Sequence, residues 1–156
     1  MKRILLLIII LLLCGCSING KINEKIEIKN NNCKIKESVD THDGFLGDGE
    51  YFAKIECKDL KESELSNHWR KLPMSKTIID VLSIPFCDDR GCKNFYERYN
   101  ISNDVNMKGY YFFYDRYSKY DDRYNEYSIH TRASYNFDVS IYDIENNVIY
   151  YYKLDT

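Results

Sequence analysis

The sequence predicts an α+β fold: an antiparallel β-sheet with a C-terminal hairpin and one or two short helices. Three observations carry this expectation. Two stretches alternate at period two. In one, Tyr51, Ala53, Ile55 and Cys57 face away from Phe52, Lys54 and Glu56; in the other, Tyr135, Phe137, Val139 and Ile141 face away from Asn136, Asp138, Ser140 and Tyr142. Such alternation puts each set of side chains on one face of a strand. Between them, over residues 59–82, the apolar spacing lengthens toward that of a helix. The composition agrees, with 15 Tyr and 7 Phe against one Trp and two Pro. Aromatic side chains suit a pleated, half-buried surface, and proline does not.

Taken in order, Ile26-Glu27-Ile28 and Lys34-Ile35-Lys36 flank Asn30-Asn31-Asn32, which predicts a small hairpin. Asp40 to Gly49 holds three Asp and three Gly and reads as a loop before the strand at 51–57. Asp59 with Glu62 resembles a capping box. Leu60, Leu65, Trp69 and Leu72 then follow at approximately helical spacing until Pro73. Ser75 is placed to cap a second short helix that buries Ile78, Ile79, Val81 and Leu82, with Pro85 beyond it. Residues 86–108 offer few apolar anchors and read as irregular. Gly109 to Tyr114 reads as a strand and Asp115 to Glu126 as a charged, tyrosine-studded connection. The strand at 135–142, a turn at Asp143 to Asn147 and a return strand from Val148 to Leu154 complete a hairpin with one face inward. The sheet then has four to six strands. No internal repeat or low-complexity segment interrupts it.

The first residues have a different character. Lys2 and Arg3 precede ten unbroken aliphatic residues, Ile4 to Leu13, which end at Cys14-Gly15-Cys16. This is the layout of an export signal, and the run is shorter than the roughly 20 residues that a membrane-spanning helix needs. Leu13-Cys14-Gly15-Cys16 resembles the lipobox of bacterial lipoproteins, with Cys14 a mild departure at the second position. The resemblance implies removal of residues 1–15 and acylation of Cys16, with residues 16–25 as lipidated cysteine and tether and 26–156 as a single α+β domain. Two or three acyl chains anchor a protein durably where one does not. The implied location is the cell envelope, held to a membrane by lipid. Because Ser17 is not the aspartate of an inner-membrane retention signal, the analogy points to the outer membrane, facing the periplasm, where a cell has two membranes. The plainer alternative is an ordinary cleaved signal peptide that contains cysteines.

Loss of Lys2 and Arg3 takes the formal net charge from −2 to −4, which argues against nonspecific nucleic-acid binding. The remaining 141 residues suit one core. They carry Cys33, Cys57, Cys87 and Cys92 beside Cys16, an even set that reads as disulfides in an exported chain. Of three pairings, the favoured one closes Cys87–Cys92 across Asp88-Asp89-Arg90-Gly91 and leaves Cys33–Cys57. On loop entropy these are worth about 2 and about 3.5 kcal/mol. The rival is a four-thiolate zinc site, but no Cys-x-x-Cys pair is present.

Searching for chemistry finds little. His42, His68 and His130 are isolated, and no zinc-protease, nucleophile-elbow or phosphate-loop motif occurs. A cysteine nucleophile beside His68 or His130 requires a thiol, which an oxidised cysteine lacks. His68 itself reads as a helix-surface residue. The loop Asp40-Thr41-His42-Asp43-Gly44 … Asp48-Gly49-Glu50 concentrates oxygen ligands of the kind calcium takes, although its spacing matches no EF-hand and Asp-Gly is also ordinary turn chemistry. No metal or cofactor is therefore expected. Arg116, Tyr117, Tyr120, Arg123 and Tyr124 form a mixed-charge aromatic segment of the composition that dominates binding hot spots; the competing reading is a solvated loop with its tyrosines flat on the sheet. Tyr110-Tyr111-Phe112, Ser134-Tyr135-Asn136-Phe137 and Tyr150-Tyr151-Tyr152-Lys153-Leu154-Asp155 make the last third similar to small bacterial proteins of unknown activity. The reading that follows is a lipid-anchored envelope binding protein without catalysis, recognising a protein partner as an immunity- or inhibitor-type lipoprotein would. The alternatives are an envelope structural or stress-associated lipoprotein and an envelope hydrolase using carboxylates such as Asp121 and Asp122.

Overall fold

A computed structural model describes residues 18–29, 32–42, 47–88, 91–102, 107–117, 122–127 and 129–156. Helix α1 spans Ile18–Lys25 and is followed by strands β1 (Cys33–Asp40), β2 (Gly49–Cys57) and the short β3 (Arg70–Lys71). Helix α2 (Lys76–Leu82), the small hairpin β4 (Phe86–Asp88) and β5 (Gly91–Lys93), and helix α3 (Phe95–Tyr99) come next. Strands β6 (Gly109–Asp115), β7 (Asn136–Asp143) and β8 (Val148–Asp155) complete the fold. Six strands form one sheet in the order β1-β2-β8-β7-β6-β3, every neighbouring pair antiparallel. The α+β expectation holds.

The C-terminal hairpin forms as its alternation predicts, with Val139 opposite Tyr152 and Ser140 opposite Tyr151. Its turn is closed by Asp143, whose carboxylate accepts the Asn146 backbone N–H at 3.1 Å, and by Asn147 in the left-handed region at φ 53°. Asparagine tolerates that conformation better than most residues. Helix α2 also forms, with Ile79 half-buried rather than buried as expected. The Ser75 hydroxyl accepts the Ile78 N–H at 3.3 Å, and Ile78, Val81 and Leu82 are buried. Both disulfides pair as favoured, Cys33 with Cys57 and Cys87 with Cys92. Each links directly opposed residues of antiparallel strands.

The expectation of one inward face is corrected. Phe137 through Asp143 are all buried, so the sheet is covered on both sides. On one face Ala53, Ile55, Phe112, Tyr142 and Tyr151 meet Ile22 and Ile26 of the α1 region together with Leu60 and Trp69. On the other, Phe52, Phe113, Val139 and Tyr152 meet Ile78 and Leu82 of α2 and Phe95 of α3. Full burial of one such aromatic or aliphatic side chain is worth about 1.5–3 kcal/mol, and two faces double the number of sites that contribute.

The stretch expected as a helix from Asp59 to Leu72 is instead a chain laid across the first face. It contains one short 3₁₀ turn at Glu62–Glu64 and the extended pair Arg70–Lys71. Asp59 sits at φ 53°, whereas a helix N-cap needs the extended region. Leu65 bridges Ile28, the Trp69 indole N–H donates to the Ile26 carbonyl at 2.8 Å, and Arg70–Lys71 pair with Tyr110 and Tyr111 of β6. These long-range partners outweigh the local spacing. The same bridge overturns the hairpin expected between 26–28 and 34–36, since β1 pairs with β2. The polar stretch 17–25, read as tether, is helical from Ile18 and buries Ile22 and Asn23.

Residues 86–108, read as irregular, hold α3. Asn94 caps it reciprocally, its side chain accepting the Glu97 N–H at 3.0 Å while Glu97 accepts the Asn94 N–H at 3.1 Å. Asn100 ends the helix at φ 51°. Arg98 on α3 reaches through to Glu50 of β2 at 3.1 Å, with side-chain exposures of 5% and 1%. The Tyr152 hydroxyl donates to the other Glu50 oxygen at 2.9 Å. Burial and the Glu50 charge push that hydroxyl's pKa up, which keeps it a donor.

Candidate functional site

The tyrosine- and arginine-rich segment is organised by the end of β6. The Asp115 backbone N–H donates to the Arg123 carbonyl at 2.7 Å, which brings Arg123 to the end of the strand. Tyr120 lies outside the described residues, as do Cys16, Asp43 and Asp121. The Asp115 side chain is fully buried and paired with Arg132 at 2.8 Å. The Arg132 guanidinium stands 5.8 Å from the centre of the Tyr117 ring. Tyr117 is thereby held from below while 50% of it remains exposed.

Arg116 points the other way. Its Nε donates to Asp138 at 3.1 Å, its Nη1 donates to Asp155, and its Nη2 donates to the carbonyls of Phe137 and Leu154 at 3.2 and 2.8 Å. Nearly all of its directional bonding is committed to the sheet. Burial pushes the Asp138 carboxyl up, against the pull of Arg116 and Lys25. Asp155 has the opposite balance. Burial raises it, but hydrogen bonds and charge from Lys153 and Arg116 hold it below the ordinary carboxylate range.

Arg123 is exposed and lies over the Tyr114 ring at 5.8 Å, its Nη1 donating to the Tyr114 hydroxyl at 3.0 Å. Tyr124 is half-buried, stacked on His68 with ring centres 3.5 Å apart, and its hydroxyl donates to Glu27. His68 Nδ1 meets the other Glu27 oxygen at 2.7 Å, so His68 is tied into this stack rather than set on a helix surface. Burial alone would raise the Glu27 carboxyl, yet hydrogen bonds from Ser66, Tyr124 and His68 hold it low. Burial and the Glu27 hydrogen bond push Tyr124 up. Of the five residues singled out from sequence, Tyr117 and Arg123 offer open surface, Tyr124 a partial one, and Arg116 chiefly a structural clamp.

The loop weighed for calcium is organised around an imidazole. His42 Nδ1 meets Asp40 at 2.6 Å and Nε2 meets Asp155 at 3.0 Å. The two nitrogens lie on opposite sides of the ring, so these carboxylates do not converge on a point where an ion could sit. Among the described residues no group of three or more His, Cys, Asp and Glu side chains is arranged to hold a metal. Asp122 is exposed and accepts the Tyr124 N–H at 3.0 Å, a turn-forming role. The four cysteines are oxidised and hold no thiol nucleophile.

Sequence reasoning passed over three residues that shape this region. Arg132 supports Tyr117, and Asp138 and Asp155 receive Arg116. Their signal was the acid placed on strand faces otherwise apolar, which demands a buried cation nearby. Compared with known proteins, the chain matches no family model, no curated protein and no solved structure.

Proposed function

We propose that this chain is a lipid-anchored binding protein of the cell envelope that recognises a protein partner without catalysis, in the manner of an immunity- or inhibitor-type lipoprotein. Attachment is through acylated Cys16 once residues 1–15 are removed, at the outer membrane where a cell has two. The observation that carries the reading is Tyr117, half-exposed on the Arg132 guanidinium that pairs with buried Asp115 at the end of β6, with exposed Arg123 held separately on Tyr114. Rigid aromatic and arginine groups whose supports are already fixed lose little entropy on binding. Helix α1 begins at Ile18, two residues beyond Cys16, which keeps the body close to its anchor.

The test captures partners from envelope extracts with the full chain, the Tyr117→Ala/Arg123→Ala variant and Arg116→Ala. The double variant is expected to keep its melting temperature and lose about thirtyfold in affinity, as for about 2 kcal/mol at a hot spot. Arg116→Ala is expected to melt earlier, because it leaves buried Asp138 without its bonded cation. Undiminished capture by the double variant removes this surface from the proposal. Metabolic labelling with a fatty-acid analogue checks the anchor, and label retained in Cys16→Ala refutes it.

A further inference from the structure

On the sheet face covered by α2 and α3 lies a cavity of about 280 Å³, bounded by the end of α2, β4, α3 and the last strand. Its floor is Leu82, Phe95, Tyr152 and Leu154, all buried. No charged side chain lines it. Its aromatic walls are fixed by polar bonds made on their far sides. The Phe86 carbonyl accepts Arg98 Nη2–H at 2.6 Å and the Phe86 ring lies 5.7 Å from that guanidinium. Arg98 is itself held by the buried Glu50, which also takes the Tyr152 hydroxyl. Tyr135 is clamped through its backbone, its N–H donating to Thr156 Oγ1 at 2.8 Å and its carbonyl accepting the Thr156 N–H at 2.9 Å.

This arrangement accounts for a feature the fold alone does not require. A buried ion pair is seldom worth more than an apolar replacement of the same size. Arg98–Glu50 ties together two residues of the lining, Phe86 through Arg98 and Tyr152 through Glu50, and takes up the Tyr152 hydroxyl. We infer that this cavity is a binding site for a small uncharged aromatic molecule of about two fused rings. The size follows from its volume, since an apolar cavity of about 150 Å³ takes a single benzene ring, and ligand pockets are characteristically apolar and preformed. That the molecule is not an anion follows from a lining that holds no Lys, Arg or His side chain. The site is separate from the Tyr117–Arg123 surface, so its failure leaves the partner-binding proposal standing.

The experiment is an NMR titration of the full chain in detergent micelles with indole, and with indole-3-acetate as its charged analogue. Indole is expected to move the Leu82, Leu154 and Ala133 methyl signals saturably, with half-saturation below about 1 mM. The anion is expected to bind about tenfold more weakly, because its charge finds no partner. Ala133→Trp, at the exposed rim, is expected to weaken indole about tenfold by filling the mouth, at unchanged melting temperature. Absence of saturable shifts at these methyls overturns the inference, as does equal binding of the anion. The native-chain titration decides the matter even where the Trp variant fails to fold.

Discussion

At the scale of single residues, the fold depends on a few carboxylates whose surroundings pull in opposite directions. Asp138 is raised by burial and Asp155 is lowered by Lys153 and Arg116 against its burial. The sign of each effect on stability differs. Folded Asp155 holds its proton more weakly than the unfolded chain does, so its charge stabilises the fold above the ordinary value of 3.8 and that contribution is lost as pH falls. Asp138 contributes in the opposite sense, its stabilisation being lost as pH rises. Asp155→Asn removes the Asp155 contribution while Asp138 and Arg116 stay in place. Urea unfolding across pH is expected to show the variant weaker near neutrality, with the gap closing as pH falls below the ordinary value of 3.8. A gap independent of pH would mean that packing, not charge, is what Asp155 contributes. A sequence offers no view of such partners, because Arg116, Asp138 and Asp155 lie 22 and 39 residues apart. An arginine in a tyrosine-rich stretch reads equally well as a contact or as a clamp.

At the scale of elements, what was legible is what is encoded locally. Ser75 before a run of apolar residues announces α2, alternation announces β2 and β7, and the turn at 143–147 announces β8 as the partner of β7. The five-residue spacing of Cys87 and Cys92 favours their pairing among three possibilities, and the structure holds that pairing. The segment after Asp59 deceived because Leu60, Leu65 and Trp69 are anchors of a draped chain, and irregular spacing of anchors imitates a helix. Helix α3 was legible in principle from Asn94 and Glu97, the reciprocal cap, but it has only five residues. It is held by the sheet rather than by propensity. The Arg98–Glu50 contact is one tether beside the packing of Phe95 and Tyr99 on Phe52 and Tyr152, and a double-mutant cycle measures it. Arg98→Met is expected to cost about 3–5 kcal/mol by leaving Glu50 buried without its cation. Adding Glu50→Leu is expected to restore much of that loss, giving a coupling energy of about 2 kcal/mol. Additive effects in chemical denaturation would instead show that the pair acts through packing alone.

At the scale of the whole molecule, the second cover of the sheet was hidden from sequence. Its pieces, α1 and the chain around Trp69, carry weak patterns of their own and acquire structure only against Tyr142 and Tyr151. The sheet order has another consequence. β8 is the last strand in the chain, yet it lies between β2 and β7 in the interior of the sheet. Neither β1–β2 nor β6–β7 can bury its inner edge until residues 148–155 arrive. Deleting residues 148–156 is therefore expected to abolish the cooperative thermal transition, as followed by circular dichroism; a surviving sharp transition would show that the halves fold alone. During synthesis the polypeptide then remains pliable until its last strand has left the ribosome. A translocation pore that accepts only extended chains would meet one that has not yet been able to close.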